Sequence, residues 1–118
     1  MKKLLLVLSV VLIVFSSFQK RKQKKTQPLP LAIQQLIKKL AAEEKTNPPI
    51  TIYSYNYGGQ KVYYVTAPCC DFFTDLYDST GKLIAHPSGG FTGRGDGLFP
   101  DFDTKKTNEK IVWADKRK

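Results

Sequence analysis

The stretch Ile50–Thr66 constrains the fold more than any other part of the chain. Ile50–Tyr57 is β-branched and aromatic and reads as a strand. Gly58-Gly59 follows, a two-residue turn of the type that tolerates positive φ at both positions. Lys61–Thr66 then returns as the partner strand. A chain with this hairpin must contain an antiparallel sheet. A two-stranded hairpin is marginal alone, so further strands or a covering helix must supply its hydrophobic partner.

The remaining segments provide both. Pro30–Lys45 places Ile33, Leu36, Ile37 and Leu40 at helical spacing, with Leu29 and Ala41 extending the stripe. Pro30 suits a first helical turn, and Asn47-Pro48-Pro49 closes the segment. Phe72–Tyr77 reads as a third strand, Asp78-Ser79-Thr80-Gly81 as a turn, and Lys82–Ala85 as a fourth strand. His86–Asp103 is rich in Gly, Pro and Asp without periodicity and reads as a long ordered loop. Lys110–Ala114 is a last short strand, with Trp113 as a core anchor. The expected class is α+β: one amphipathic helix on a small antiparallel sheet of about four to five strands. Ile50, Ile52, Val62 and Tyr64 are the expected partly buried positions. Tyr53, Tyr55 and Tyr57 share one face by the two-residue period, and that face is either core or binding surface.

The N-terminus has a different character. Met1-Lys2-Lys3 is a cationic start, Leu4–Phe15 is apolar apart from Ser9, and Ser16-Ser17 supplies small residues. This is the layout of a secretory signal. The apolar run is shorter than the roughly 20 residues that span a bilayer. Residues 1–18 are therefore expected to be a signal peptide or membrane anchor, 19–29 a basic flexible tether, and 30–118 a single domain. The expected location is the cell envelope, either membrane-anchored or exported. Positive charge over Lys20–Lys25 opposes translocation.

Charge distribution excludes a nucleic-acid footprint. The net charge is +9, but seven of the nineteen basic residues lie at Lys2, Lys3, Lys20, Arg21, Lys22, Lys24 and Lys25. Twelve basic and ten acidic residues remain for the domain. The basic face that counterion release requires is missing.

No phosphate-cradling loop, nucleophile elbow or two-histidine zinc helix occurs, and no catalytic residue is assigned. Candidate contact residues are Tyr53, Tyr55 and Tyr57, together with Arg94 and Asp96 in the glycine-rich loop. Asp96, Asp101 and Asp103 are candidate ligands for calcium. Ordinary turn-capping roles are the alternative for these aspartates. Cys69 and Cys70 are adjacent, and extended neighbours point to opposite faces. Two thiols or intermolecular bridges are therefore expected. His86 is the only histidine.

The leading expectation is a non-enzymatic module that binds an envelope protein or ligand. No specific oligomer is predicted. The alternatives are a small enzyme using Cys69 or Cys70 with His86 or Asp71, and a calcium-stabilised structural domain.

Two resemblances refine this picture. Val14-Phe15-Ser16-Ser17-Phe18 resembles a lipoprotein signal, but Phe18 stands where the acylated cysteine would be. The stretch from Ile52 to Phe102 resembles an uncharacterised family of small secreted bacterial proteins, many of them lipoproteins, classed as a domain of unknown function. The residues that carry this are Val62-Tyr63-Tyr64-Val65, Pro68-Cys69-Cys70-Asp71, and Leu76-Tyr77-Asp78 with Gly81. They continue through His86-Pro87-Ser88-Gly89-Gly90, Thr92-Gly93-Arg94-Gly95-Asp96-Gly97 and Pro100-Asp101-Phe102. The resemblance implies an extracytoplasmic α+β domain and no particular activity. It also implies cysteines where Ala85 and Phe99 stand, which would be natural disulfide partners of Cys69 and Cys70. Losing such a bridge costs a small domain roughly 2–5 kcal/mol.

Overall fold

The computed structural model describes residues 27–118. The apolar segment and most of the basic tether expected before the domain lie outside the described residues. Among the described residues, no helix is long and apolar enough to cross a membrane.

Helix α1 spans Leu31–Ala42. It starts where expected, with the Pro30 carbonyl accepting from the amides of Ile33 and Gln34 at 3.0 Å. It ends three residues before Lys45, and the cause lies at the far end of the chain. The last carbonyls of a helix have no partner within it. The Arg117 guanidinium takes them, donating to Leu40 O at 3.3 Å, Ala41 O at 3.1 Å and Glu43 O at 2.8 Å. Asp115, itself buried, orients that guanidinium by accepting from Nε at 2.9 Å and Nη2 at 2.6 Å.

Strands β1 (Thr51–Tyr57), β2 (Gln60–Val65), β3 (Asp75–Tyr77), β4 (Leu83–Ala85) and β5 (Thr107–Ala114) form one antiparallel sheet. Their order is β4-β3-β2-β1-β5. The fold is α+β, a helix against a five-stranded sheet. The glycine turn pairs Tyr57 with Gln60, so Tyr55 faces Val62, Tyr53 faces Tyr64, and Ile52 faces Val65. Asp78 closes the β3–β4 turn by accepting from the amides of Thr80 at 2.9 Å and Lys82 at 3.0 Å, and from the Thr80 hydroxyl at 2.6 Å. The Thr80 hydroxyl and these amides hold its carboxyl below the usual range. Gly81 has φ +88°, and a Cβ there would press on Ala32 of α1 at 2.7 Å.

The register divides the apolar residues between two faces. Ile50, Ile52 and Val65 form one cluster, packed by Leu36, Ile37 and Leu40 of α1 and by Tyr77, Val112 and Trp113. Tyr55, Val62, Leu76, Ala85 and Phe102 form a second cluster on the opposite face, with Tyr53, Tyr57 and Tyr64 against it. The expected set of Ile50, Ile52, Val62 and Tyr64 is therefore split between the faces. The second face is covered by α2, a single turn at Phe102–Lys105 inside the expected loop. Phe102 is 1 % exposed and meets Tyr57 and Tyr55 edge-on, with centroids at 5.4 and 5.8 Å. It stacks on Tyr64 at 5.6 Å.

Two strands start three residues away from expectation, and the other boundaries shift by at most one. β5 begins at Thr107 rather than Lys110, and β3 begins at Asp75 rather than Phe72. β5 is the long outer edge of the sheet. Its pairing with β1 is broken by register shifts, and Asn108 is left-handed at φ +56°. Bulges and an edge lysine such as Lys110 discourage pairing with a further strand.

The Asp115–Arg117 pair makes stability depend on acid. Arg117 draws the Asp115 carboxyl down to about 2 against the opposing effect of desolvation. A carboxylate depressed in the fold stabilises it above the unfolded pKa, about 3.9. That contribution is lost as pH falls toward the folded value. Asp115→Asn is expected to lower the urea midpoint at pH 6, and the gap from the unmodified protein should close by pH 2.

Candidate functional site

The long segment after β4 is not a free loop. It folds back on the Phe72–Thr74 segment that precedes β3. Phe73 bridges Gly89, and Gly89 bridges Arg94. Thr74 N donates to Ser88 O at 3.1 Å, and the Thr74 hydroxyl lies 3.0 Å from the Ser88 hydroxyl, which lies 3.1 Å from that of Tyr64. Further along, Gly95 N donates to Gly89 O at 3.0 Å and Asp96 N to His86 O at 2.9 Å. Asp96 closes the loop from the other side, its carboxylate accepting from the His86 amide at 2.8 Å and the Leu98 amide at 2.9 Å. Desolvation raises this carboxyl, but those amides and the nearby imidazole prevail and hold it below the usual range.

Two glycines make the close packing possible. Gly95 has φ +66°, and a Cβ there would overlap the His86 carbonyl. Gly89 has φ +86°, and a Cβ there would overlap the Phe72 carbonyl. On this framework several apolar side chains remain uncovered. Phe91 is 95 % exposed and Phe72 62 %, and Phe73 and Leu98 are also exposed. Arg94 is exposed beside them.

His86 lies at the base of this framework. Its Nδ1 is 2.8 Å from Asp75 Oδ1 and 3.0 Å from Thr74 O. The ring lies beside Phe73, with centroids 5.3 Å apart. Asp75, Thr74 and Phe73 were not singled out from sequence. A signal for Asp75 existed: once Asp78–Gly81 is the turn, antiparallel counting places Asp75 near His86.

The structure reassigns most of the other candidates. Tyr55 is 4 % exposed, and its phenol donates to Glu109 at 2.5 Å. Burial and that carboxylate push the phenol well above its usual range. Tyr57 donates to Asp101 at 2.5 Å, and Tyr53 and Tyr57 are half-buried. The tyrosine row is thus largely a core face under Phe102, not an open surface. The three candidate calcium ligands do not converge. Asp96 holds loop amides, Asp101 holds Tyr57 and Lys105, and Asp103 holds Lys106 at 2.6 Å. Among the described residues, no three His, Cys, Asp or Glu side chains gather where they could bind a metal.

Cys69 and Cys70 are joined to each other as a vicinal disulfide, not held as two thiols. The expectation assumed extended backbone, whereas Cys70 has φ +54° within a turn that Phe72 N closes onto Cys69 O at 3.1 Å. Neither sulfur is available to pair with His86, whose Nδ1 is committed to oxygen.

A separate shallow cleft of about 240 Å³ is lined by Tyr55, Asp103, Lys106, Thr107, Asn108 and Glu109. Its charged groups are already partnered. Glu109 holds Tyr55, and the Lys106 ammonium binds Asp103 and lies 5.0–5.7 Å from the ring centroids of Tyr55, Phe102 and Tyr64.

Fold and site together define a small α+β domain whose glycine-rich loop is hydrogen-bonded back onto the segment before β3. The chain belongs to the family described as domain of unknown function DUF6970, whose model matches residues 38–115. No curated protein and no solved structure matches it.

The loop's rigidity is open to direct test. Gly95→Ala places a side chain at positive φ against the His86 carbonyl. It should cost at least about 1 kcal/mol of unfolding free energy, whereas Gly93→Ala, with open space at its Cβ position, should cost less. Urea titration of both variants measures the difference.

Proposed function

We propose that this protein is a non-enzymatic recognition module of the cell envelope, carried there by its apolar N-terminal segment. In this reading the Gly89–Phe99 loop is the contact surface. The observation that carries it is the exposure of Phe91 and Phe72 on backbone held in place by the bonds around Gly89, Gly95 and Asp96. Exposed aromatic rings on a preordered loop bind with little loss of conformational freedom. Such rings are the side chains that dominate interface energies. Arg94 adds a charged donor fork at the same surface. Asp96, by contrast, acts within the loop as its brace.

A thiol enzyme is disfavoured by the pairing of Cys69 with Cys70 and by the commitment of His86 Nδ1 to Asp75 and Thr74. A calcium-stabilised domain is disfavoured by the separate hydrogen-bond partners of Asp96, Asp101 and Asp103.

The test uses the full chain with immobilised envelope protein, isolated sacculi and phospholipid vesicles as separate probes. Saturable retention on one of them is expected. Phe91→Ser with Arg94→Ser should weaken it at least about tenfold while leaving the melting temperature within about 2 °C. Lys110→Ser on the outer edge strand should leave retention unchanged. Retention equal in the loop variant and the unmodified chain would contradict the assignment of the surface.

A further inference from the structure

The charged groups of the Arg117 clamp and of the cleft beside Tyr55 are already partnered. His86 is different. Its Nδ1 faces two oxygens, a carboxylate at 2.8 Å and a carbonyl at 3.0 Å. Both are acceptors, so the neutral ring must carry its hydrogen on Nδ1. Nε2 is then the bare, lone-pair nitrogen. It has no hydrogen-bond partner among the described residues, and no buried side-chain nitrogen or oxygen lacks one, so Nε2 faces solvent. The side chain as a whole is 33 % exposed. Asp75, the Thr74 carbonyl and the Phe73 ring hold it at the base of the loop.

From this we infer that His86 Nε2 is the pH-sensitive polar contact of the loop surface, accepting a hydrogen bond from an N–H or O–H group on a protein partner and releasing it when the ring is protonated. The inference rests on the recognition role proposed above and adds the partner's chemistry and its control. A ring as exposed as Phe91 is buried by a concave apolar pocket, which a protein surface supplies. The lone pair of Nε2 complements a donor. It does not complement the acceptor-only phosphates of a lipid surface. Protonation turns Nε2 from acceptor into donor, so a donor group opposite it loses its bond and meets a like dipole. The carboxylate on the imidazole is Asp75 of β3, and Asp96 of the glycine loop, which holds the His86 backbone amide, is near enough to interact with the ring's charge. Phe73, whose ring packs against the imidazole, and its neighbours Phe72 and Thr74 carry no charge.

The experiment has two arms, each on the full chain in detergent micelles. His86 is the only histidine, so a long-range proton–nitrogen correlation reads its ring without ambiguity. At pH 8 a protonated Nδ1 and a bare Nε2 are expected; the opposite tautomer overturns the inference. In the second arm, retention on immobilised envelope protein is compared at pH 8 and pH 5. The unmodified chain should bind at least about tenfold more weakly at pH 5, and His86→Gln, which keeps an acceptor but cannot titrate, should lose most of that dependence. Binding that strengthens in acid marks an anionic acceptor as the partner and overturns the inference, as does pH-independent binding; the recognition role would survive either result. Retention on none of the probes at either pH would remove both readings.

Discussion

The sheet has apolar residues on both of its faces, and most of the structure follows from having to cover both. The β1–β2 register sets Ile52 and Val65 against α1 and turns Tyr53, Tyr55, Val62 and Tyr64 the other way. One helix can cover only one side. The second side is closed by Phe102 on a single helical turn, and Phe102 can reach it only if the preceding loop crosses the sheet along a fixed path. The loop is ordered because the core needs its far end.

This explains why polar bonds are concentrated where they are. The Thr74–Ser88 and His86–Asp96 bonds fasten the start of the loop to the end of the sheet near β3 and β4. Tyr57 and Asp101 fasten its end beside Phe102. Between these anchors Phe91, Arg94 and Leu98 have no structural task visible in their contacts, and they face outward. The helix depends on a similar long-range device. Arg117, the penultimate residue, reaches back to the carbonyls of α1. The C-terminal tail thus ties the cover on the first face to the edge of the sheet, as Phe102 ties the cover on the second.

Local chemistry made part of this legible. Gly58-Gly59 between two β-branched, aromatic runs specifies the hairpin, and the Leu36–Ile37–Leu40 stripe specifies the helix. The division of Val62 and Tyr64 from Ile52 was also within reach, since a two-residue turn pairs Tyr57 with Gln60 and counting back puts Val62 beside Tyr55. What the sequence did not reveal depends on contacts distant along the chain. Phe102–Lys105 is too short for periodicity to detect, and only its tertiary contacts show Phe102 as a core residue. The reach of Arg117 to α1 spans more than seventy residues and leaves no local trace. The pairing of Cys69 with Cys70 is hidden from sequence because it needs a turn, with Cys70 at positive φ, where neighbouring residues suggest extended chain. The tyrosine row was recognised as one face, but whether it was covered depended on Phe102.

The most direct measurement is amide hydrogen exchange at Asp96, Gly95 and Thr74, compared between the unmodified chain and Phe102→Ala. If the loop is held by the cover it delivers, these amides are protected in the unmodified chain. The variant should then lose about 3–5 kcal/mol of stability and most of that protection together. Exchange of the three amides at the rate of an unstructured peptide in the unmodified chain would contradict the account. So would a Phe102→Ala variant that keeps both its stability and its loop protection.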